Sequence, residues 1–387
     1  MKHAVFIIKG LEKNIIPTLH QLAFTDAGIT WEFWGSKYIS RHSSTIHSPP
    51  PKFGEIEVKA ITKDLLDTVL PKLKNTCFIF EYSLERKNRF FLKKLKQYNI
   101  PYIVIINRTS FIHKELFYNK KIGIKNGTLK MLTNIFYSPI NRMLNNHYSS
   151  LPRPILAILG TKNDLIAYNY PYPKNGLTYF HNENYEKLLN TPQPITNNNI
   201  LVFVDQYLPW HPDTKVFDKW NMNAEVYYTK IASFLTELGV KLKLKPVIAA
   251  HPKTTENIIE PYLRGIPLIY GRTPDLIASA GLVVQHSSLT IEQAILMEKP
   301  LLLVMCNEIT NSPIEQAIKI FADNLNGAYL TIENFLSSDL SNNEINSYII
   351  NHKNQFRNYI RKNIKDTNGN NSSYWKFIAQ TIKNTNS

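Results

Sequence analysis

The densest chemistry in this 387-residue chain lies in Leu282-Val-Val-Gln-His-Ser-Ser-Leu-Thr-Ile-Glu-Gln-Ala-Ile-Leu-Met-Glu-Lys-Pro-Leu-Leu-Leu-Val304. A buried-strand pattern runs into Ser287-Ser288, a helical pattern follows, and Lys-Pro leads to another buried strand. Small hydroxyl residues at a helix start let a phosphate reach free backbone N–H groups and a positive dipole end. Glu292 stands one helical turn beyond Ser288, where a carboxylate can accept from a ribose diol. The same residues also fit a plain helix cap at Ser288 and an ordinary first-turn acid at Glu292.

A second segment, Pro246-Val-Ile-Ala-Ala-His-Pro-Lys253, ends an apolar run on His251-Pro252. The residue before a proline is held extended, which fixes the imidazole at the edge of a sheet. There it can bind a phosphate or base, or balance leaving-group charge. A third, Ile200-Leu-Val-Phe-Val-Asp-Gln-Tyr-Leu-Pro-Trp-His-Pro-Asp213, ends on Asp205. Gln206, Tyr207, Trp210 and His211 follow on a loop of recognition-type side chains. Asp205 fits a base or a donor-site acceptor slightly better than a turn-starting acid beside a packed Trp, because loops at sheet ends carry sites. In the first third the groups at strand ends are Lys9-Gly10, Glu81 and Asn107. Glu81 is the best-placed acid of these, and Gly10 permits close backbone approach. His181, in Tyr179-Phe-His-Asn-Glu183, fits a hinge-packing residue better than one facing a cleft. The run Tyr168–Tyr179 fits either sugar stacking or a Tyr/Pro hinge.

The elements that position these groups alternate. The pattern predicts strands at 3–9, 29–34, 76–82 and 101–107, with helices at 14–27, 62–73 and 86–98. Continuous apolar runs of this kind suit a parallel sheet covered on both faces, and the alternation spells βαβ units. Residues 151–199, rich in Pro, Asn, Tyr and Gly, interrupt the rhythm and read as linker-like. A second series then begins: strands at 199–205, 245–251, 267–270, 282–285 and 300–305, with helices at 225–238, 274–280 and 290–297 between them. Helices at 314–325 and 344–381 close the chain. The expected organisation is an N-terminal Rossmann-like domain at 1–190, a C-terminal Rossmann-like domain at 200–350, and a basic helix at 351–387. In open sheets of this kind ligands sit outside the carboxyl ends of the strands, where all three segments end.

Hydrophobic residues make up 43% of the chain, enough for two cores, which excludes a wholly disordered protein. The two cysteines, Cys77 and Cys306, fall inside apolar runs and read as buried thiols of a reducing compartment, not a zinc or disulfide framework. Neither an export signal nor a spanning stretch of apolar residues is present, so a cytoplasmic or peripheral protein is expected. The net charge of +15 is uneven. Residues 1–150 carry 23 Lys/Arg against 10 Asp/Glu, residues 151–350 carry 15 against 19, and residues 351–387 carry 7 against 1. The basic tail places residues 353, 357 and 361 on one helical face. Packed together, the first third and the tail form a basic lobe suited to an anionic glycan or membrane leaflet, or merely a solvated Lys-rich surface. No nucleic-acid motif accompanies the charge, which makes a nucleic-acid partner unexpected.

The His-Pro pair followed by the Ser-Ser strand–helix unit resembles bacterial sialyltransferases and the related transferases of 3-deoxy-octulosonate, over residues 245–305. The resemblance implies an α/β GT-B fold: two Rossmann-like doubly wound domains facing a central cleft, with the last helix returning to the N-terminal domain. It also implies that His251-Pro252 and Ser287-Ser288 contact the CMP part of a CMP-activated acidic sugar, with Lys253 and Glu292 beside them. The expected activity is transfer of a sialic-acid-like or octulosonic acid to a glycan acceptor in surface-polysaccharide synthesis, without metal or cofactor. His251 would then serve chemistry as well as binding, and Asp205 or Glu81 would take the acceptor's proton. Gly10, Gln206, Tyr207, Trp210 and His211 would line the substrate. The acidic-acidic-Gly motif that supplies the base in those families is absent from this sequence. The Ser-Ser segment also looks like the polyol-phosphate transferases of teichoic acid synthesis, which leaves the donor open between a CMP-sugar and a CDP-polyol. A UDP-sugar transferase and a non-hydrolysing epimerase suit the same fold, and a basic scaffold or nucleic-acid-binding protein is the non-enzymatic rival.

Overall fold

A computed structural model describes residues 1–8, 23–39, 52–53, 56–81, 84, 88–107, 150–166, 168, 170–173, 176–189, 198–211, 222–254 and 258–385. They form two compact units. One takes in the described residues up to 189 together with those from 362 onward, and the other takes in 198–361.

The first unit is built on eight strands: β1 (His3–Ile8), β2 (Thr30–Gly35), β3 (Lys52–Phe53), β4 (Ile56–Lys59), β5 (Thr76–Phe80), β6 (Tyr102–Ile106), β7 (Leu156–Leu159) and β8 (Thr178–Tyr179). Their order is β3-β4-β2-β1-β5-β6-β7-β8, parallel throughout except for β3. Strand side chains alternate between faces, and the unbroken apolar runs serve both. Val5, Ile7, Phe78, Phe80, Tyr102 and Val104 enter one core, which α1 (Arg89–Gln97) closes with Phe91, Leu92 and Leu95. Ala4, Phe6, Cys77, Ile79, Ile103 and Ile105 enter the other core. The stretch 151–199 is less of a linker than its composition suggests, because it supplies β7, β8 and α2 (Glu183–Leu189) to this unit. The predicted helix at 14–27 and the residues Lys9, Gly10 and Tyr82 lie wholly or mostly outside the described residues.

The second unit has six parallel strands: β9 (Ile200–Val204), β10 (Lys245–Ala249), β11 (Leu268–Ile269), β12 (Ala280–Gln285), β13 (Leu301–Met305) and β14 (Tyr329–Thr331). Their order is β11-β10-β9-β12-β13-β14. Chain order runs outward in both directions from β9, so the topological switch falls between β9 and β12. The long helix α3 (Ala224–Leu242) opens on an Asn223 cap that accepts from Val226 N–H at 3.1 Å, and it ends on Lys243 in the left-handed region. α4 (Ile291–Leu296) follows β12.

The closing helix predicted over 344–381 is broken. A helix at Asn342–Tyr348 stops before Ile350 bridges to Leu301. α5 (Lys353–Tyr359) runs into a π-turn at Ile360–Ile364, and the turn-forming stretch 366–373 precedes α6 (Tyr374–Asn384). The π-turn straddles the passage from the second unit back to the first. Lys353, Arg357 and Arg361 therefore remain in the second unit, and only the basic residues from Lys362 onward join the basic first one. The returning segment is stitched to the carboxyl edge of β7 and β8. Asn182 N–H donates to Ile364 O at 2.8 Å, Asp366 N–H to Gly160 O at 3.1 Å, and Asn370 N–H to Tyr179 O at 3.1 Å. His181, fully buried, faces Glu186 at 2.6 Å and the Asn370 carbonyl at 3.3 Å, so it anchors this segment. α6 then lays Tyr374, Trp375, Ile378 and Ile382 into the second face of the β1–β5–β6 core, which is the expected return of the last helix. Among the described residues no helix is long and apolar enough to cross a membrane.

Candidate active site

Asp205 leaves the end of β9 and is 2% exposed. Its N–H donates to Ala249 O at 3.1 Å, which ties it to the end of β10. Its carboxylate accepts from the Tyr207 N–H at 3.1 Å, from the Tyr228 hydroxyl at 3.2 Å, and from the N–H groups of Gln206 and His251. Burial penalises the charge more than these donors favour it, so the carboxyl is pushed up to about 6.

Tyr207 sits at φ 55°, a conformation that costs a residue with a Cβ about 1 kcal/mol. That turn stacks its ring on the His251 imidazole, with centroids 6.2 Å apart and planes 3° from parallel. Trp210 meets Tyr207 at 5.2 Å and stacks on Tyr228 at 5.9 Å. His211 meets His251 edge to face at 5.3 Å. These rings form one cluster over the ends of β9 and β10.

His251 Nδ1 accepts the Lys253 N–H at 3.2 Å, so the neutral ring carries its proton on Nε2. Burial, with His211 and Lys253 close by, pulls its pKa down to about 4. At neutral pH it is an uncharged donor. Pro252 and Lys253 form the exposed turn after it.

Across the switch point, the Ser287 N–H donates to Gln206 Oε1 at 2.8 Å. Ser288 Oγ lies 2.9 Å from the Thr290 hydroxyl and accepts the Thr290 N–H at 3.4 Å. Thr290, not Ser288, is the residue before α4. α4 has only six residues, so the strong dipole expected at Ser288 gives way to the turn itself. Among the described residues, neither the Ser288 nor the Leu289 N–H has an acceptor. Two successive amides of this kind are a geometry that an anion can accept. Glu292 lies on α4, 4% exposed and electrostatically next to Tyr359.

Asp205, Gln206, Tyr207, Trp210, His211, His251 and Ser287 are thus joined by direct bonds or ring contacts, and Ser288 adjoins them in sequence. Glu81 directly follows β5 in the first unit, 8% exposed. Asn107 follows β6 and donates to His181 O at 3.2 Å. Gly10 lies outside the described residues. The sequence reading missed Tyr227, Tyr228 and His286, all fully buried. Two tyrosines on the apolar stripe of a helix carry the signature of core packing, and His286 was passed over inside the motif it belongs to.

No family model matches the chain, and no curated protein sequence matches it. Solved structures do align with it. The wall teichoic acid polymerase TagF aligns with a TM-score of 0.51 at 10% identity, over 98% of this chain and 88% of that one. Its H444N variant gives the same TM-score and coverage at 9% identity. The S. aureus MnaA–UDP complex aligns at a TM-score of 0.46 and 12% identity, over 99% and 96% of the two chains. The likeness to TagF is one of fold. The two Rossmann-like parallel-sheet units have the GT-B fold, as the sequence led one to expect.

Proposed function

We propose that the protein is a glycosyltransferase of bacterial surface-polysaccharide synthesis that transfers an acidic sugar from a CMP-activated donor bound by the second unit. The supporting observation is the meeting of Asp205, Gln206, His251 and Ser287 at the carboxyl ends of β9, β10 and β12, across the topological switch. Ligands of open parallel sheets bind at that place.

The chemistry follows from the groups present. The Ser288 and Leu289 amides and the Nε2–H of His251 receive the donor's phosphate, each without a net charge of its own. Donors fixed before the reaction stabilise the charge that grows on the leaving nucleotide. The tyrosine, tryptophan and imidazole rings suit the faces of base and sugar. Asp205 takes the proton of the acceptor hydroxyl, because a carboxyl lifted to about 6 is largely ionised at neutral pH yet more basic than an exposed one. Glu81, at the edge of the other unit, is the rival base. In this reading the hydrogen bonds of these amides and of the neutral His251 ring hold the phosphate without a metal. The basic first unit, with Lys93 and Lys96 exposed on α1, suits an anionic acceptor or the inner leaflet of the cell membrane.

A second reading, transfer of a polyol phosphate from a CDP-polyol, is favoured by the fold shared with TagF and by the Ser-Ser segment. Both readings require a cytidine nucleotide.

A thermal-shift panel of CMP, CDP, UDP, GDP and ADP, with and without Mg²⁺, tests them. A ligand of the native state raises the melting temperature. A shift selective for CMP and insensitive to Mg²⁺ and EDTA is expected, and it justifies assaying transfer from CMP-activated acidic sugars. A shift selective for CDP moves the assay to CDP-polyols. Selective response to UDP overturns the cytidine donor, and no response to any nucleotide overturns the transferase.

A further inference from the structure

We infer that Tyr227 and Tyr228, neighbours on α3, are positioning residues of the candidate site: Tyr228 sets the Asp205 carboxylate, and Tyr227 sets the Ser287–Ser288 turn through His286. The inference rests on the proposed site being the reactive one.

Consecutive residues of a helix point about 100° apart, so adjacent side chains can reach the ends of two different strands. Both phenol rings are completely buried. A buried hydroxyl must find a partner, and the commonest choice is a nearby carbonyl. Here both choose side chains at the carboxyl edge of the sheet. The Tyr228 hydroxyl lies 3.2 Å and 3.4 Å from the two oxygens of Asp205. The Tyr227 hydroxyl lies 2.9 Å from His286 Nε2.

The direction of the second link is fixed. His286 Nδ1 is 2.7 Å from the Val304 carbonyl, which can only accept, so Nδ1 holds the ring's proton. Nε2 is then a bare lone pair and accepts from Tyr227. The imidazole is braced from α3 on one side and from β13 on the other. Phe203 of β9 meets its face edge-on at 5.6 Å. The next amide, that of Ser287, is held by Gln206. With residue 286 fixed by its ring and residue 287 by its N–H, the two acceptor-less amides of the turn have a set direction.

Tyr228 has a second duty. Its ring is the base of the stack that runs through Trp210 and Tyr207 to His251. The acid, the aromatic stack and the anion-facing turn are therefore registered against one helix. Groups held this way lose little freedom when substrate binds, which is how distant packing supports catalysis.

The test uses the full chain with Tyr227→Phe and Tyr228→Phe, which keep the rings and remove one oxygen each. Asp205 is followed through a pH titration by carboxyl ¹³C NMR, His286 by imidazole ¹⁵N shifts, and CMP affinity by calorimetry. In Tyr228→Phe the Asp205 midpoint moves upward, because a bond favouring the carboxylate is gone, while the His286 signals stay. In Tyr227→Phe the Asp205 titration stays, the His286 signals change, and CMP binds about tenfold more weakly. Unchanged Asp205 titration in the first variant and unchanged CMP affinity in the second, with both melting lower, would make the tyrosines core packing alone. If wild-type protein binds no nucleotide the site assignment fails, yet the Asp205 midpoint in Tyr228→Phe still decides whether that tyrosine sets the acid.

Discussion

The amide of Ser287 is bonded to the side-chain oxygen of Gln206 at 2.8 Å, and this one bond closes the switch point between β9 and β12. Gln206→Ala should lower stability by about 1 kcal/mol, the ordinary worth of a neutral hydrogen bond, and weaken CMP several-fold. Gln206→Glu keeps an acceptor for the amide but sets a negative charge beside the phosphate position. It should therefore bind CMP more weakly than the alanine variant does. Calorimetry on the two variants decides, and equal affinity for both would put the phosphate elsewhere.

The two buried titrating groups of this region act oppositely on stability. His286 is neutral and fully buried, with its pKa pulled down from 6.5 to about 4 by desolvation. Between those values the unfolded chain binds the proton and the native one does not. Its contribution is thus complete above pH 6.5 and is lost as pH falls through 4, on the order of 3 kcal/mol in all. Asp205 is pushed up from 3.8 to about 6, so the native state holds its proton longer. Its contribution is complete below 3.8 and is lost as pH rises through 6, again on the order of 3 kcal/mol. Asp205→Asn should therefore gain on wild type as pH rises from 4 to 6 and hold that gain above it. Urea unfolding at a series of pH values measures the difference, and a gain that is flat with pH would contradict the raised carboxyl.

His251 presents an uncharged Nε2–H, held by its bond to the Lys253 amide. His251→Ala should cost about tenfold in CMP affinity or in transfer rate, with little change in melting temperature. Wild-type values for both turnover and affinity would remove it from the site.

Gly369 brings the returning segment against the first unit so closely that an added Cβ would lie 2.3 Å from the Phe180 carbonyl oxygen. Backbone atoms at that distance cannot yield without moving the strand edge. Gly369→Ala should destabilise by about 2 kcal/mol or more, and Trp375→Ala by about 3 to 5 kcal/mol through the cavity it leaves beside Phe6. Hydrogen exchange should place the loss in the first unit, at β1, β5 and α6. Loss confined to 198–361 would contradict the packing.

Much of the fold was legible where one short run carried the whole signal. β1, β5, β6, β9 and β13 each contain an unbroken apolar run of four or five residues, and such runs have few alternatives to a covered parallel strand. The polar groups that end β9, β10 and β12 were legible because a parallel sheet presents the carboxyl ends of its strands together. What stayed hidden depends on residues distant in sequence. β7 is four residues long, amid Pro and Asn, and becomes a strand because β6 lies beside it. The break before α6 is set by Phe180 against Gly369 and by Ile350 against Leu301. Tyr227 and Tyr228 read as core because they are core, and their second role lies in a hydroxyl whose partners are 59 and 23 residues away.

The return of α6 also sets an order of events during synthesis. The second unit is nearly contiguous in the chain and has everything its sheet requires once Arg361 has emerged. The described strands of the first unit are made much earlier, yet Trp375 and Ile382, which pack on one face of its central sheet beside Phe6 and Phe24, arrive only after the second unit is complete. The half of the molecule made first is therefore the half finished last. While ribosomes complete the second unit, Phe6 and Phe24 have each other but lack the Trp375 ring that packs on both. A nascent chain stalled after the second unit should be the species that chaperones hold longest.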